Sequence, residues 1–405
     1  MCKKFKLIGL LMLLTIFLLP VKAYVCFADE AKTIEEAFKN GKIKGTIGSY
    51  FEYTDKEVAD SDYGWATGYL TLKYETQKWN RLSMGARFFV HGQLYSHHDN
   101  GTSDPFQSDI ETKCTLPELY LSYGFAENSG VTVGRWNHKK VSHIDDAQSE
   151  GAYVFLKEIP NLEFIAGVMT RFAEIDYDDG EDFGRTNDHQ DLNSEDTFGS
   201  DSKPYLFFIE SKYKPLDMLT FNPYVMYQDG YAGVYGLDAD IKYKPEHSGV
   251  TYGGRLDYYH VSADIAGKSD SDDFAVSPYI IKGPLTVTGG FAQFDDGNSL
   301  NKPEWLRDYL VGELDQDKSY GRSGCEVYFG KVKYKIGKFW AHFAYGDYNY
   351  NYTSSKGDRS QECELQFGYK LTENIDANLR LFDVQYDNVD EKDYQKVETR
   401  IRFKF

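Results

Sequence analysis

Basic side chains set singly into alternating apolar and polar stretches are the residues of this chain best placed to do chemistry. Lys44, Lys73, Arg87, Arg171, Arg255, Arg380, Arg400 and Arg402 all occur in such stretches. A guanidinium holds a carboxylate through two parallel N–H bonds, so a series of them offers successive, exchangeable sites for anionic groups. Asp145, Asp146 and Glu150, within or closing the segment His138 to Glu150, are the acids that could oppose them. Other groupings carry less. The acid-rich stretch from Tyr177 to Lys203 lacks the spacing of a calcium-binding EF-hand and reads as a solvated loop. His97, His98 and Asp99 are adjacent and cannot readily converge on one metal. No Gly-rich phosphate loop joins a strand to a helix, and no nucleophile elbow is present, so nothing calls for a cofactor.

The elements that must position these residues are strands. Leu82, Met84, Ala86, Phe88 and Val90 alternate with Ser83, Arg87 and His91, the period of a strand with one apolar and one polar face. Eighteen such runs start near residues 42, 64, 81, 116, 130, 151, 162, 204, 218, 233, 249, 273, 285, 324, 339, 362, 375 and 395. Pro223 and Pro278 fall inside two of them, where each deletes a ladder donor.

The connections narrow the architecture further. Every second one is short, as at Gln77 to Asn80, Lys214 to Asp217 and Leu371 to Asn374. Most of the others are long and acidic, as at His97 to Thr115, Tyr177 to Lys203, Asp296 to Ser323 and Asn349 to Gln361. A soluble sandwich has no reason to alternate in this way. An all-β transmembrane antiparallel barrel does, with tight turns on one rim and long external loops on the other. Eighteen strands are expected, with sixteen as the alternative.

Composition agrees. Tyr 33, Phe 27 and Trp 5 bring aromatics to 16%, suited to the girdles of a membrane barrel. The net charge of -18 argues against a nucleic-acid partner, which would require a cationic surplus. Residues 1–28 read as a signal peptide: Lys3, Lys4 and Lys6, then an apolar run from Leu7 to Pro20, then small Ala28. Residues 29–41 read as a short segment on the periplasmic side, helical from Ala31 to Asn40 and either capping the mouth or frayed. Residues 42–405 form the barrel. After the leader, Cys114, Cys325 and Cys363 remain, too few and too scattered for a disulfide framework, and they indicate no mechanism.

The opening stretch Glu35 to Gly45, the stretch His143-Ile-Asp-Asp-Ala-Gln-Ser-Glu-Gly-Ala-Tyr153 and the terminal Phe405 resemble outer-membrane porins of the porin D type. That resemblance implies an eighteen-stranded barrel for passive, partly selective diffusion of small hydrophilic solutes, often carboxylate-bearing and including amino acids, without enzymatic activity. It also implies a ladder of basic residues in the pore. Parity assigns that ladder to Lys44, Lys73, Arg87, Arg380, Arg400 and Arg402, on a wall made continuous by closure of strand eighteen on strand one, with Arg171 and Arg255 as further lumen cations. The opposing view is that interior arginines pair with acids such as Asp257, Asp376 and Glu398 to fill the barrel.

Loop 138–150 is the expected constriction, its Asp145, Asp146 and Glu150 facing the basic wall. Outer-membrane lipid, lipopolysaccharide and the barrel-assembly machinery, through Phe405, are the expected partners, and a homotrimer is an assembly the reading allows. An outer-membrane receptor or adhesin and a rim-sited hydrolase are the alternatives.

Overall fold

The computed structural model describes residues 30–56, 62–98, 113–137, 141–144, 147–174, 190–191, 205–264, 268–295, 306, 324–354, 357–387 and 393–405. The leader at 1–28 lies outside these residues, as do Asp145 and Asp146.

Eighteen long strands follow one another: β1 Lys42–Lys56, β2 Tyr63–Glu75, β3 Leu82–His98, β4 Lys113–Gly124, β5 Gly130–Asn137, β6 Ala147–Leu156, β7 Leu162–Glu174, β8 Leu206–Leu216 and β9 Leu219–Gln228. Then come β10 Ala232–Tyr243, β11 Val250–Ala263, β12 Ser271–Lys282, β13 Leu285–Gln293, β14 Cys325–Ile336, β15 Phe339–Ser354, β16 Gly357–Lys370, β17 Ile375–Tyr386 and β18 Tyr394–Lys404. A two-residue strand, Gln190–Asp191, adds to the end of β7. Each long strand pairs antiparallel with its sequence neighbours, and β1 pairs with β18 from Thr46↔Lys404 to Lys56↔Tyr394. The sheet is therefore a closed barrel without edges.

Alternation turns one set of side chains outward. Ile43, Ile47 and Phe51 of β1 and Ile401 and Phe403 of β18 are exposed, while Tyr50, Glu52, Thr54 and Glu398, on the opposite phase, are buried. Exposed tyrosines band the exterior, with Tyr123, Tyr213, Tyr243, Tyr334 and Tyr369 toward the rim of short turns and Tyr95, Tyr205, Tyr235 and Tyr328 toward the other. An apolar belt flanked by aromatic girdles is what lipid selects on such a surface.

The N-terminal segment is ordered against the short-turn rim. Helix α1, Ile34–Lys39, is capped by Thr33, whose side chain accepts from Glu36 N at 3.1 Å. The segment is tied to the β2–β3 turn by Ala31 N to Lys78 O, 2.7 Å, and Gln77 N to Ala37 O, 3.0 Å. The segment is therefore bonded to the rim rather than frayed.

Several boundaries differ from expectation. The long connection expected from Asn349 to Gln361 is mostly strand, because Tyr348, Tyr350 and Tyr352 continue the period of two and Ser354 pairs with Gly357. Strand β6 likewise takes in Ala147 to Glu150, shortening the third loop. Both prolines are accommodated by gaps in one ladder. The β8–β9 register passes from Phe221↔Tyr213 to Tyr224↔Glu210 without pairing Pro223, and β12–β13 passes from Val276↔Phe291 to Tyr279↔Thr288 around Pro278.

Below the third loop, Gly134 of β5 faces Gly151 of β6, with φ of 118° and 155°. A Cβ on Gly134 would lie 2.4 Å from the carbonyl oxygen of Leu119. Gly134→Ala should destabilise the folded barrel by about 1–3 kcal/mol, the cost of backbone strain at such a position. The urea midpoint of detergent-folded protein measures this, and an unchanged midpoint would refute it.

Candidate functional site

The register carries the inward phase around the closure. Lys44 lies opposite Lys73, Lys73 opposite Arg87 and Arg87 opposite Glu118, while Glu52 lies opposite Glu398 and Glu398 opposite Arg380. Arg400 lies between Tyr50 and Asn378, and Arg402 between Gly48 and Asp376. All six cations assigned to the wall by parity therefore share the inner face of β17, β18, β1, β2 and β3.

The wall is a lattice of ion pairs. Arg380 bonds Glu364 and Glu398, each at 3.1 Å, and its guanidinium lies 4.7 Å from the Phe382 ring centre. Arg402 bonds Asp376 at 2.7 Å. Lys73 meets Glu118 at 3.0 Å and Glu75 at 3.2 Å, and Arg87 shares Glu118 at 3.2 Å. Two inward lysines of β18 escaped the sequence reading. Lys396 is buried between Glu52 at 3.0 Å and Glu398 at 2.8 Å, and Lys404 bonds Asp376 at 2.9 Å. Both share the parity of Arg400 and Arg402, so the same rule would have found them.

Arg255 also faces inward, on another part of the wall, paired with Asp257 at 2.6 Å and Asp238 at 3.5 Å. Arg171 does not. The β6–β7 register jumps from Gly151↔Met169 to Glu150↔Arg171, and the extra residue in β7 reverses the phase beyond it. Glu150 is corrected with it. It stands on β6 rather than in the loop and bonds Arg135 at 3.0 Å. Arg135 is opposite Leu119, on the outward phase of exposed Leu121 and Val133. Glu150 therefore cannot face the basic wall.

Residues 141–144 of the third connection lie inside the barrel. Val141, His143 and Ile144 are buried, and Ile144 pairs with Leu306. His143 reaches Glu210 of β8 through Nδ1 at 2.8 Å and Asp238 of β10 through Nε2 at 3.0 Å. Its ring stacks on Tyr224 of β9 at 3.7 Å between centres. Ser142 donates its backbone N–H to both Glu210 oxygens, at 3.2 and 3.0 Å, and its hydroxyl to Oε1. Around this contact the inner faces of β7 to β15 are largely apolar, with Met169, Met226, Val234, Val261, Ala275, Val327 and Ala344 fully buried in one cluster with Val141, Ile144 and Leu306. The interior thus holds an apolar cluster on one side, with Glu210, Asp238, Arg255, Asp257 and Asp273 set into the same strands, and the ion-paired wall on the other.

A closed eighteen-stranded sheet with an apolar exterior and a charged inner wall has the fold of the large outer-membrane barrels. No family model and no curated protein matches the chain. Solved structures do match it. Pseudomonas aeruginosa OccK5 (OpdH) superposes with a TM-score of 0.72 at 13% identity, over 91% of this chain and 99% of that one. Pseudomonas aeruginosa OprD gives 0.69 at 12%, over 95% and 99%, and Acinetobacter baumannii OccAB4 gives 0.69 at 13%, over 90% and 98%. The fold implied by the porin D resemblance is the fold observed, and OprD itself is among the structures that share it.

Lys396→Ala should leave Glu52 and Glu398 buried without their shared cation and cost about 3–5 kcal/mol, the usual penalty for removing one partner of a buried pair. Chemical denaturation in detergent measures it, and Lys396→Ala with Glu52→Gln should recover part of the loss. A single variant as stable as the parent would show that the clamp is not formed.

Proposed function

We propose that this protein is an outer-membrane porin, a passive diffusion channel for small hydrophilic solutes with a preference for those bearing a carboxylate. The observation that carries this reading is the continuous inner wall from β16 to β4, where Glu364, Arg380, Glu398, Arg402, Lys73, Arg87 and Glu118 bring both signs together in ion pairs inside a closed barrel. Eighteen-stranded barrels enclose an aqueous lumen, and rings or rows of charged side chains within it set selectivity. A solute carboxylate has the same charge and geometry as the wall acids, so a row of arginines offers it successive sites of one kind. The likeness in fold to OprD and the Occ structures, together with the porin D resemblance of Glu35 to Gly45 and His143 to Tyr153, supports the same function.

Location follows from the same reading. The short-turn rim, with α1, faces the periplasm and the long connections face outward, among lipopolysaccharide. Phe405, beside Gly45 on the closing strand pair, is the element offered to the barrel-assembly machinery, and a homotrimer is the assembly proposed.

A rim-sited hydrolase is the weaker alternative. Ser142, His143 and Glu210 contain the residue types of a nucleophilic triad, but both imidazole nitrogens engage carboxylates and the serine hydroxyl donates to Glu210. No ring lone pair is left to accept a proton from a nucleophile.

Planar-bilayer recording under a salt gradient tests the channel. Purified protein should give discrete conductance steps. Arg380→Ala with Arg400→Ala should lower the anion-to-cation permeability ratio by about fivefold, the factor equivalent to ~1 kcal/mol of Coulomb attraction in solvent. Steps with an unchanged ratio would refute the basic-wall assignment, and hydrolysis of a lipid or peptide without steps would refute the channel.

A further inference from the structure

We propose that His143 is the positioning residue of the constriction: as an imidazolium bridging Glu210 and Asp238, it pins segment 141–144 to the wall of β8 to β10 and so fixes the bore. The inference rests on the channel reading and specifies what holds the narrowing segment in place.

The geometry requires two donors. Nδ1 and Nε2 each lie within hydrogen-bond distance of a carboxylate oxygen, at 2.8 and 3.0 Å, and a neutral ring has one N–H. A neutral imidazole would set its lone pair against a carboxylate in a site from which water is largely excluded, since His143 is 1% exposed. The groups facing the ring are Glu210 from β8, Tyr224 from β9, Asp238 from β10 and Ser142 from its own loop. Behind Asp238 stand Arg255 and Asp257 of β11, so the wall cation that reaches Asp238 is already shared with another acid. Backbone geometry converges on the same contact, because Ser142 N–H spans both Glu210 oxygens and fixes the approach of the loop.

Burial alone would push the His143 pKa down, but its hydrogen bonds and proximity to Asp238 and Glu210 outweigh this and raise it from 6.5 to about 9. With the folded value raised, the stabilisation from the pin is complete below about 6.5 and is lost as pH rises through about 9. Deprotonation removes one of the two bridges and leaves Glu210 and Asp238 with less compensation.

Two measurements on full-length, detergent-folded protein test this. In the first, nitrogen NMR of labelled histidine, with His143 assigned by its loss in His143→Gln, should show both ring nitrogens protonated at pH 7.5 and a titration near 9. A neutral tautomer at pH 7.5 would overturn the proposal whether or not the protein conducts. In the second, single-channel conductance from pH 7 to 10 should increase through the same titration in the parent, and the step should be absent in His143→Gln and in Asp238→Asn. A charged ring accompanied by identical conductance profiles in parent and variants would make His143 a structural residue only and would equally overturn the proposal. A parent protein that forms no conductance steps, despite a charged His143, would defeat the channel reading, and the role in setting the bore would fall with it.

Discussion

Closure of the sheet, β1 on β18, is the constraint on which every other feature depends. In hydrocarbon an unpaired backbone N–H or C=O costs several kcal/mol, so a sheet survives there only when its last strand bonds to its first. Closure also fixes one register around the whole circumference. Because side chains alternate with a period of two, a slip of one residue at the β1–β18 seam would turn Arg400 and Arg402 toward lipid and Ile401 and Phe403 toward water. Each basic residue at the bilayer midplane would cost about 2–4 kcal/mol. The charges of the wall thus help to specify the seam that brings them together.

Those charges must also be reconciled with burial. Glu52, Glu118, Glu364 and Glu398 are almost fully buried on the inner face, and each lies against Lys396, Lys73, Arg87 or Arg380. The ion pairs are the arrangement the filler reading expects, and the ladder reading belongs to the proposed channel. Under that proposal an arginine held by two acids is rigid and preorganised, yet it offers a site from which a solute can leave. A row of uncompensated arginines would bind a carboxylate more tightly and conduct it more slowly.

Much of this was legible in the sequence because a membrane barrel writes its geometry in a period of two. The strand starts, the alternation of short and long connections and the inward parity of Lys44, Lys73, Arg87, Arg255, Arg380, Arg400 and Arg402 all follow from that period. It fails where the period is locally broken. The bulge before Arg171 reverses its phase, and nothing in Val168 to Phe172 marks the extra residue. Glu150 reads as a loop residue in the sequence because Ala147 to Glu150 lacks apolar alternation, whereas the strand begins at Ala147. The apolar inner face of β7 to β15 was hidden for another reason. Strands apolar on both faces show weak alternation, and only the third loop and Leu306 inside the barrel explain why Val234, Val261 and Val327 are needed there.

The division of the interior follows from these facts. A wide barrel must either fill its lumen with water or supply side chains to occupy it, and on one side this one supplies side chains. The Val141, Ile144 and Leu306 contacts replace water across the strands opposite the seam, and dry packing there lowers the local dielectric around Glu210 and Asp238. Two carboxylates in such a setting need a cation, and the loop brings one with it in His143. Packing and charge are then mutually dependent. The apolar cluster excludes the water that would weaken the histidine bridge, and the bridge compensates part of the charge of acids that would otherwise keep water in the cluster.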